Sequence, residues 1–420
     1  MPAKRPISPH LSPNARPQDV KRALYWLINP YRWFMWRKGR ALSELDDLFK
    51  RKFSVSFARS FSSGRIALYA LLDALDLQEG DEVAMQSFTC VVVPNAIIAA
   101  NGKPVYVDID NTYNLDPVDL EKKLDQSKKI RAVIVQHTFG QPAQIERIQE
   151  ICTSHGVTLI EDCAHSLGAT VNGMLVGTFG QAAMFSFGRD KVISAVSGGM
   201  AITNDAEIAQ HLNNYWLGLR FPSHIWIKQR LLHPLLFALG IRFYYVGSLG
   251  KIIIAVSKKI RLFPLVLFAA EKKEAKQQKG YRLPNAMAAA AVAQMSVLEE
   301  MQEHRQRLAD LYASKLNDAP GIQLPVFQPN AKSALLRYTI QVKRRNELVA
   351  FAKQRGILLG DWYDPVIAPP GSNMEAVHYA KGSCSVAEAA ARTVVNLPTN
   401  IQTTEQDAHD VIETIKEFYQ

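Results

Sequence analysis

The chain has 420 residues, 48% apolar and 21% charged, enough for one large and one small domain around a substantial core, which sets aside a disordered or fibrous polymer. Its four cysteines show no CxxC spacing, so they form no zinc site or disulfide framework and suggest a reducing compartment. The net charge of +10 is uneven: residues 1–43 carry +8 and residues 221–270 carry +7 without one acid, leaving −5 elsewhere; that pattern speaks against a nucleic-acid binder and for two local anionic contacts.

The first stretch, "MPAKRPISPHLSPNARPQ", is basic and Pro-rich and does not read as a secretory signal. "RALYWLINPYRWFMWRKGR" (22–40) then sets Trp26, Trp33 and Trp36 among cations, a composition that favours a membrane interface. From about 55 to 205, strand-like runs alternate with helical ones. "DEVAM" (81–85), "PVYVD" (104–108), "RAVIVQ" (131–136), "VTLIED" (157–162), "AAMFSF" (182–187) and "GMAIT" (199–203) predict strands. "GRIALYALLDAL" (64–75), "PNAIIAANG" (94–102) and "QIERIQEICTSHG" (144–156) predict helices. The alternation predicts an α/β fold with a mainly parallel sheet, whose ligands sit at the carboxyl ends of the strands.

Residues 222–270 are apolar, aromatic and basic. Their uncharged runs, 231–241 and 262–270, are shorter than the ~18–20 residues that span a bilayer, so the segment fits an element lying in a membrane interface. The alternative is a lid or dimer cover with solvated cations. One long helix is expected over 286–316. "LLRYTIQV" (335–342) and "TVVNLP" (393–398) with helical patterns at 346–355 and 404–418 predict a smaller C-terminal α+β domain. The predicted organisation is an extension over 1–45, a large domain over 46–300 with an insertion near 207–276, and a small domain over 301–420.

Polar clusters fall at the strand ends. "SSGRIALYAL" (62–71) opens a helix on small residues, either a plain N-cap or an anion site made by free amides. "EDCAHSLGA" (161–169) ends an apolar strand on two carboxylates; Asp162 either caps the next helix or points into a cleft. "FSFGRDK" (185–191) delivers Ser186 and Lys191 into a loop before a Gly pair.

The order and spacing of these stretches, with "GDEVAMQSFTCVVVPNAIIAANGKPVYVDID", "VQHTFGQPA", "VGTFGQAAMFSFGRDK" and "GYRLPN", resemble the DegT/DnrJ/EryC1/StrS family of sugar aminotransferases from about residue 50 to 420. The resemblance implies the aspartate-aminotransferase fold and pyridoxal 5'-phosphate, with pyridoxamine phosphate as the intermediate carrier of the amino group. It makes Lys191 the imine-forming lysine and Asp162 the partner of the ring nitrogen. Gly64, Arg65 and Ser186 would hold the phosphate, His165 the phenolic oxygen, and Phe88 the ring face that Cys90, standing where an aromatic residue is frequent, leaves uncovered. Gly280 in Gly280-Tyr281-Arg282 replaces an Asn in a loop that reaches across a dimer, and Ser197 replaces a frequent Glu. No metal is expected.

The resemblance further implies a homodimer, glutamate as donor and a nucleotide-linked keto-sugar as acceptor, for surface polysaccharide or glycolipid synthesis. A lipid-linked ketone is the alternative acceptor, and a non-catalytic membrane-bound regulator a second alternative. The expected location is the cytoplasm, peripheral on the inner face of the cytoplasmic membrane.

Overall fold

A computed structural model describes residues 5–11, 14–260, 262–264, 267–275 and 279–420; Lys4 and Arg261, counted above among the basic residues, lie outside them. The central sheet has seven strands, in chain order β1 (Phe57–Phe61), β2 (Glu82–Gln86), β3 (Lys103–Val107), β4 (Ile130–Gln136), β5 (Thr158–Asp162), β6 (Ala182–Ser186) and β7 (Gly199–Thr203). Their order in space is β1-β7-β6-β5-β4-β2-β3. Pairings from β6 through β3 are parallel, and β7 alone runs against both its neighbours.

Side chains alternate across this sheet, as strand geometry requires. Val133, Val135 and Leu159 enter one apolar core, while Ala132, Ile134 and Ile160 enter the core on the opposite face. Burial on both faces is why these strands read as nearly continuous apolar runs. β1 has no such run. Arg59 and Ser60 interrupt it, and the Arg59 guanidinium is absorbed by Asp46 at 3.3 Å and Asn213 at 2.9 Å.

The reversed β7 has a positional consequence. Gly199, its first residue, pairs with Ser186 and Phe61, the last residues of β6 and β1. Five strands therefore place chemistry-bearing loops at one edge of the sheet: β1, β4, β5 and β6 by their ends and β7 by its beginning.

A second sheet, Ile322–Gln323 with Tyr338–Val342 and Val394–Leu397, is covered by Leu298–Leu316, Arg345–Gln354 and Glu405–Tyr419 around its own core. The helix expected over 286–316 is two, Asn285–Met295 and Leu298–Leu316. Ser296 Oγ donates to Ala293 O at 3.0 Å, and Val297 leaves helical geometry at φ −124°. A serine hydroxyl bonded back to the preceding turn, next to a β-branched residue, interrupts the ladder without Pro or Gly.

The basic segment is two helices, His224–Arg242 and Leu249–Lys259, packed on each other. At their contact, a Cβ on Gly240 would stand 2.6 Å from Ile254 Cγ1, so only glycine permits the approach. Pro17–Ile28 lies along His224–Arg242, and Arg37 Nε donates to Pro222 O at 3.0 Å. Among the described residues, no helix is long and apolar enough to cross a membrane. Of the three N-terminal tryptophans only Trp33 is exposed. Trp26 and Trp36 are buried, with Trp36 Nε1 donating to Trp26 O at 3.0 Å.

Candidate active site

The strand ends surround a cavity of about 850 Å³. Lys191 reaches it from the loop after β6. That loop is held from outside: Asn14 of the N-terminal segment donates to Lys191 O, the buried Arg305 donates to Val192 O at 2.6 Å, and Ser194 N donates to Gln294 Oε1 at 2.8 Å. Lys191 Nζ lies 5.1 Å from the centroid of the Trp362 ring and has no hydrogen-bond partner among the described residues. Burial lowers its pKa against the opposing pull of Asp162. A lysine so placed holds more neutral amine than an exposed one, and neutral amine is the nucleophile.

Asp162 and Glu161 end β5 and point opposite ways. Glu161 is structural. Its carboxylate accepts from Gly177 N, Phe179 N and Gly180 N at 2.7, 2.7 and 2.8 Å and faces His137 Nε2 at 3.1 Å. His137 Nδ1 accepts from Ala143 N at 3.0 Å, so Nε2 carries the proton and donates to Glu161. His137, Glu161 and Cys163 lie close enough to bind a metal, but these bonds already occupy both ring nitrogens and both carboxylate oxygens. Asp162 faces the cavity instead. Its Oδ1 accepts from Ala164 N at 2.9 Å, and its Oδ2 has no partner among the described residues. Burial raises its pKa, partly offset by the Ala164 bond and by Lys191.

The helix Gly64–Asp73 starts at the cavity, and no side-chain bond caps it at Ser63. Its first amides therefore face the cavity beside the Ser186 hydroxyl. The convergence is tight: a Cβ on Gly64 would stand 2.8 Å from Ser186 Cβ, and one on Gly199 would stand 2.5 Å from Gly64 N. Arg65, next in the helix, is ion-paired with the buried Glu271.

His165 is buried, with Phe139 N donating to Nδ1 at 3.3 Å and Tyr363 Oη 3.3 Å from Nε2. Burial pulls its pKa far down, so the ring is neutral and Nε2–H donates to Tyr363. Phe88 lies elsewhere. It is fully buried among Tyr113, Phe139 and Tyr363 and is not among the residues lining the cavity. The aromatic surface beside Lys191 comes from late in the chain. Trp362 stacks on His165 at 5.3 Å and 14°, and the Arg337 guanidinium sits 4.0 Å from the Trp362 centroid.

Two departures noted in the sequence have local reasons. Ser197 Oγ accepts from Arg230 Nε at 3.0 Å. Arg230 comes from the inserted helix His224–Arg242, stacks 3.3 Å from the Trp226 centroid and lines the cavity without a carboxylate partner among the described residues. Burial pushes its pKa down to about 9. At Gly280 a Cβ would stand 3.0 Å from Ile66 Cγ2 and 3.1 Å from Tyr215 Oη, so an Asn would be crowded. Arg282 donates to Trp216 O and Leu217 O of its own chain at 3.0 and 2.6 Å, while Tyr281 lines the cavity.

These groups fit pyridoxal phosphate: a desolvated amine, an unengaged carboxylate oxygen across the cavity and an uncapped helix start beside a hydroxyl. When bound, that cofactor supplies an aldehyde for the amine and a ring that accepts electrons once its nitrogen is protonated.

Comparisons with known proteins agree. The chain is 30% identical over 369 residues to a "Pleiotropic regulatory protein" of Geobacillus stearothermophilus, covering 85% of this chain and 83% of that one. It is 27% identical to GDP-perosamine synthase of Escherichia coli O157:H7, covering 91% of both. Among solved structures, S. venezuelae DesV in complex with a ketimine intermediate matches with a TM-score of 0.73 and 25% identity over 96% of this chain and 95% of that one. Residues 28–220 and 255–416 match the model of the DegT/DnrJ/EryC1/StrS aminotransferase family, which leaves 221–254 outside it, a narrower interval than the expected 207–276. The chain therefore belongs to the DegT/DnrJ/EryC1/StrS family and is a pyridoxal-phosphate-dependent aminotransferase.

Proposed function

We propose that this enzyme moves an amino group from glutamate to a nucleotide-linked keto-sugar used in surface polysaccharide or glycolipid synthesis. The observation that carries the reading is Lys191: a buried amine, unbonded among the described residues, in one cavity with the open Oδ2 of Asp162. Lys191 Nζ takes the proton from the carbon that bears the donor's amino group and returns a proton in the second half-reaction. Asp162 stays ionised so that a ring nitrogen beside it stays protonated. The amides at Gly64 and Arg65 with Ser186 Oγ hold a phosphate. His165 would exchange its Nε2–H bond to Tyr363 for one to a phenolic oxygen. Relatives described as GDP-perosamine synthase and as a dTDP-3-amino-3,6-dideoxy-α-D-galactopyranose transaminase support a nucleotide-carried sugar.

The reading includes a homodimer in the cytoplasm. Light scattering that finds an active monomer would exclude the dimer. A lipid-linked keto-sugar, met at the inner face of the cytoplasmic membrane, is a second reading. It is favoured by the cavity wall contributed by 224–275, where Phe263, Pro264 and Leu267 stand beside Arg230, Lys258 and Lys272. A regulator without activity is disfavoured by the intact Lys191 and Asp162.

One experiment separates these readings. The enzyme is incubated with glutamate and a panel of nucleotide-linked and lipid-linked keto-sugars, and products are read by mass spectrometry. An aminated nucleotide sugar is the expected result. Amination confined to lipid-linked sugars selects the second reading, and no glutamate-dependent change in the cofactor's absorbance leaves only the regulator.

A further inference from the structure

We propose that the face built by residues 17–36 and 224–260 docks on an anionic lipid bilayer, with the helix Leu249–Lys259 lying in the interface. This goes beyond transamination and does not depend on it. Of the 22 large apolar side chains exposed among the described residues, 16 lie in residues 17–36 and 224–268. They are not scattered singly, and concentrated apolar exposure of this kind marks an interaction surface.

Helix Leu249–Lys259 shows the design most clearly. Gly250, Ile254 and Ser257 are buried, with Ile254 packed against Phe237 and Phe263. Leu249, Ile252, Val256 and, just past the helix end, Ile260 are exposed at spacings of three, four and four, which is one helix face. Lys259 borders that stripe, while Lys251, with Nζ over the Tyr244 and Tyr245 rings, and Lys258 stand on the far side of the helix; none of the three has a carboxylate partner among the described residues. Beside the hairpin, the N-terminal segment exposes Tyr31, Trp33 and Phe34, the last at 88%. Lys21, Arg32, Lys38, Lys228 and Arg242 are likewise without a carboxylate partner among the described residues.

Charge decides the occupant. A second copy presenting this same face would set like charge against like charge. An anionic bilayer meets both properties at once, taking apolar side chains into the acyl boundary and cations at the headgroups. Residues 221–254 lie outside the family model, so most of this face is an addition of this chain to the family fold. Lys258 also lines the catalytic cavity. A bilayer holding this helix by Ile252 and Val256 is therefore separated from the cavity by the width of the helix.

The test is flotation of the full-length holoenzyme with phosphatidylcholine vesicles, with and without phosphatidylglycerol. Binding to the phosphatidylglycerol vesicles should exceed binding to the neutral ones by at least about tenfold at low salt. It should fall in about 1 M salt, where the screening length is about 3 Å. The double variant Ile252→Glu, Val256→Glu should lose at least about tenfold in bound fraction, and Phe34→Glu should weaken binding independently. Both should keep the wild-type circular dichroism and the glutamate-driven absorbance change. Wild-type protein that stays off phosphatidylglycerol vesicles at low salt overturns the proposal. So do variants that bind as the wild type does, or variants whose mass in light scattering drops to a monomer, which would assign the face to a second copy.

Discussion

Trp362, late in the chain, holds its ring 5.1 Å from Lys191 Nζ, which arrives on the loop after β6. The ring acts in two directions. Its face attracts an ammonium, while its bulk keeps water from the amine. Burial, to which the ring contributes, lowers the Lys191 pKa. Trp362→Leu should therefore move the midpoint of Lys191 reactivity upward, toward the ordinary 10.5. The pH profile of imine formation by cofactor-free enzyme reads this directly. An unchanged midpoint would show that the ring does not control the amine.

Borohydride reduction of the holoenzyme should fix the cofactor to the peptide containing Lys191 and to no other. Lys191→Ala should keep the fold and lose all turnover. The same lysine has a stability effect whose sign follows from its lowered folded pKa. The unfolded chain binds the proton more tightly, so the charged lysine costs stability below the folded pKa. The cost fades as pH rises toward 10.5. Cofactor-free Lys191→Met should then melt higher than wild type at neutral pH and lose that advantage in strong base. A lower melting temperature at neutral pH would contradict it.

Asp162→Asn preserves shape and the bond from Ala164 N while removing the charge. Loss of such electrostatic support costs on the order of 10²–10³-fold in kcat. Cofactor retention should fall far less, because the helix amides and Ser186 are untouched. Near-normal turnover in this variant would remove Asp162 from the mechanism.

Gly64→Ala places a methyl where a Cβ stands 2.8 Å from Ser186 Cβ, between two rigid elements. Neither can yield cheaply, so the seat for a phosphate is distorted. Equilibrium dialysis should show pyridoxal phosphate affinity weakened by at least about tenfold, equal to about 1.4 kcal/mol. Affinity within a factor of two or so of wild type would show that the phosphate sits elsewhere.

Much of this site was legible because spacing along the chain is spacing around a strand end. Asp162, Ser186 and Lys191 each lie on or just past an apolar run, and parallel sheets gather such ends at one edge. β1 was not legible, since "FARSF" hides its burial behind an arginine whose guanidinium meets Asp46 and, far along the chain, Asn213. Phe88 was legible as an aromatic residue near the site. Its direction was not, because Phe88 lies in the bend before the short strand Thr89–Cys90, outside the alternation that would set it on the face of Cys90; Cys90 lines the cavity and Phe88 is in the core. Trp362 and Arg230 had no local signal at all. "GDWYDP" has no periodicity, and Arg230 looks like any cation of a basic helix until the fold stacks it on Trp226 above Ser197. Composition alone overstated the N-terminal tryptophans, two of which serve the core.

The ion pair between Arg65 and Glu271 joins the first turn of the helix Gly64–Asp73 to the segment that follows the basic hairpin. Asn95 reinforces the joint by donating to Glu271 O at 2.8 Å. A linkage of this kind works equally in both directions. Whatever steadies residues 269–273 should also steady the helix start at Gly64, and a phosphate held there should slow the opening of the segment around Glu271. Occupancy at the catalytic centre thus has a reporter some two hundred residues away in sequence: the backbone amides around Glu271 should exchange with deuterium more slowly in holoenzyme than in cofactor-free protein.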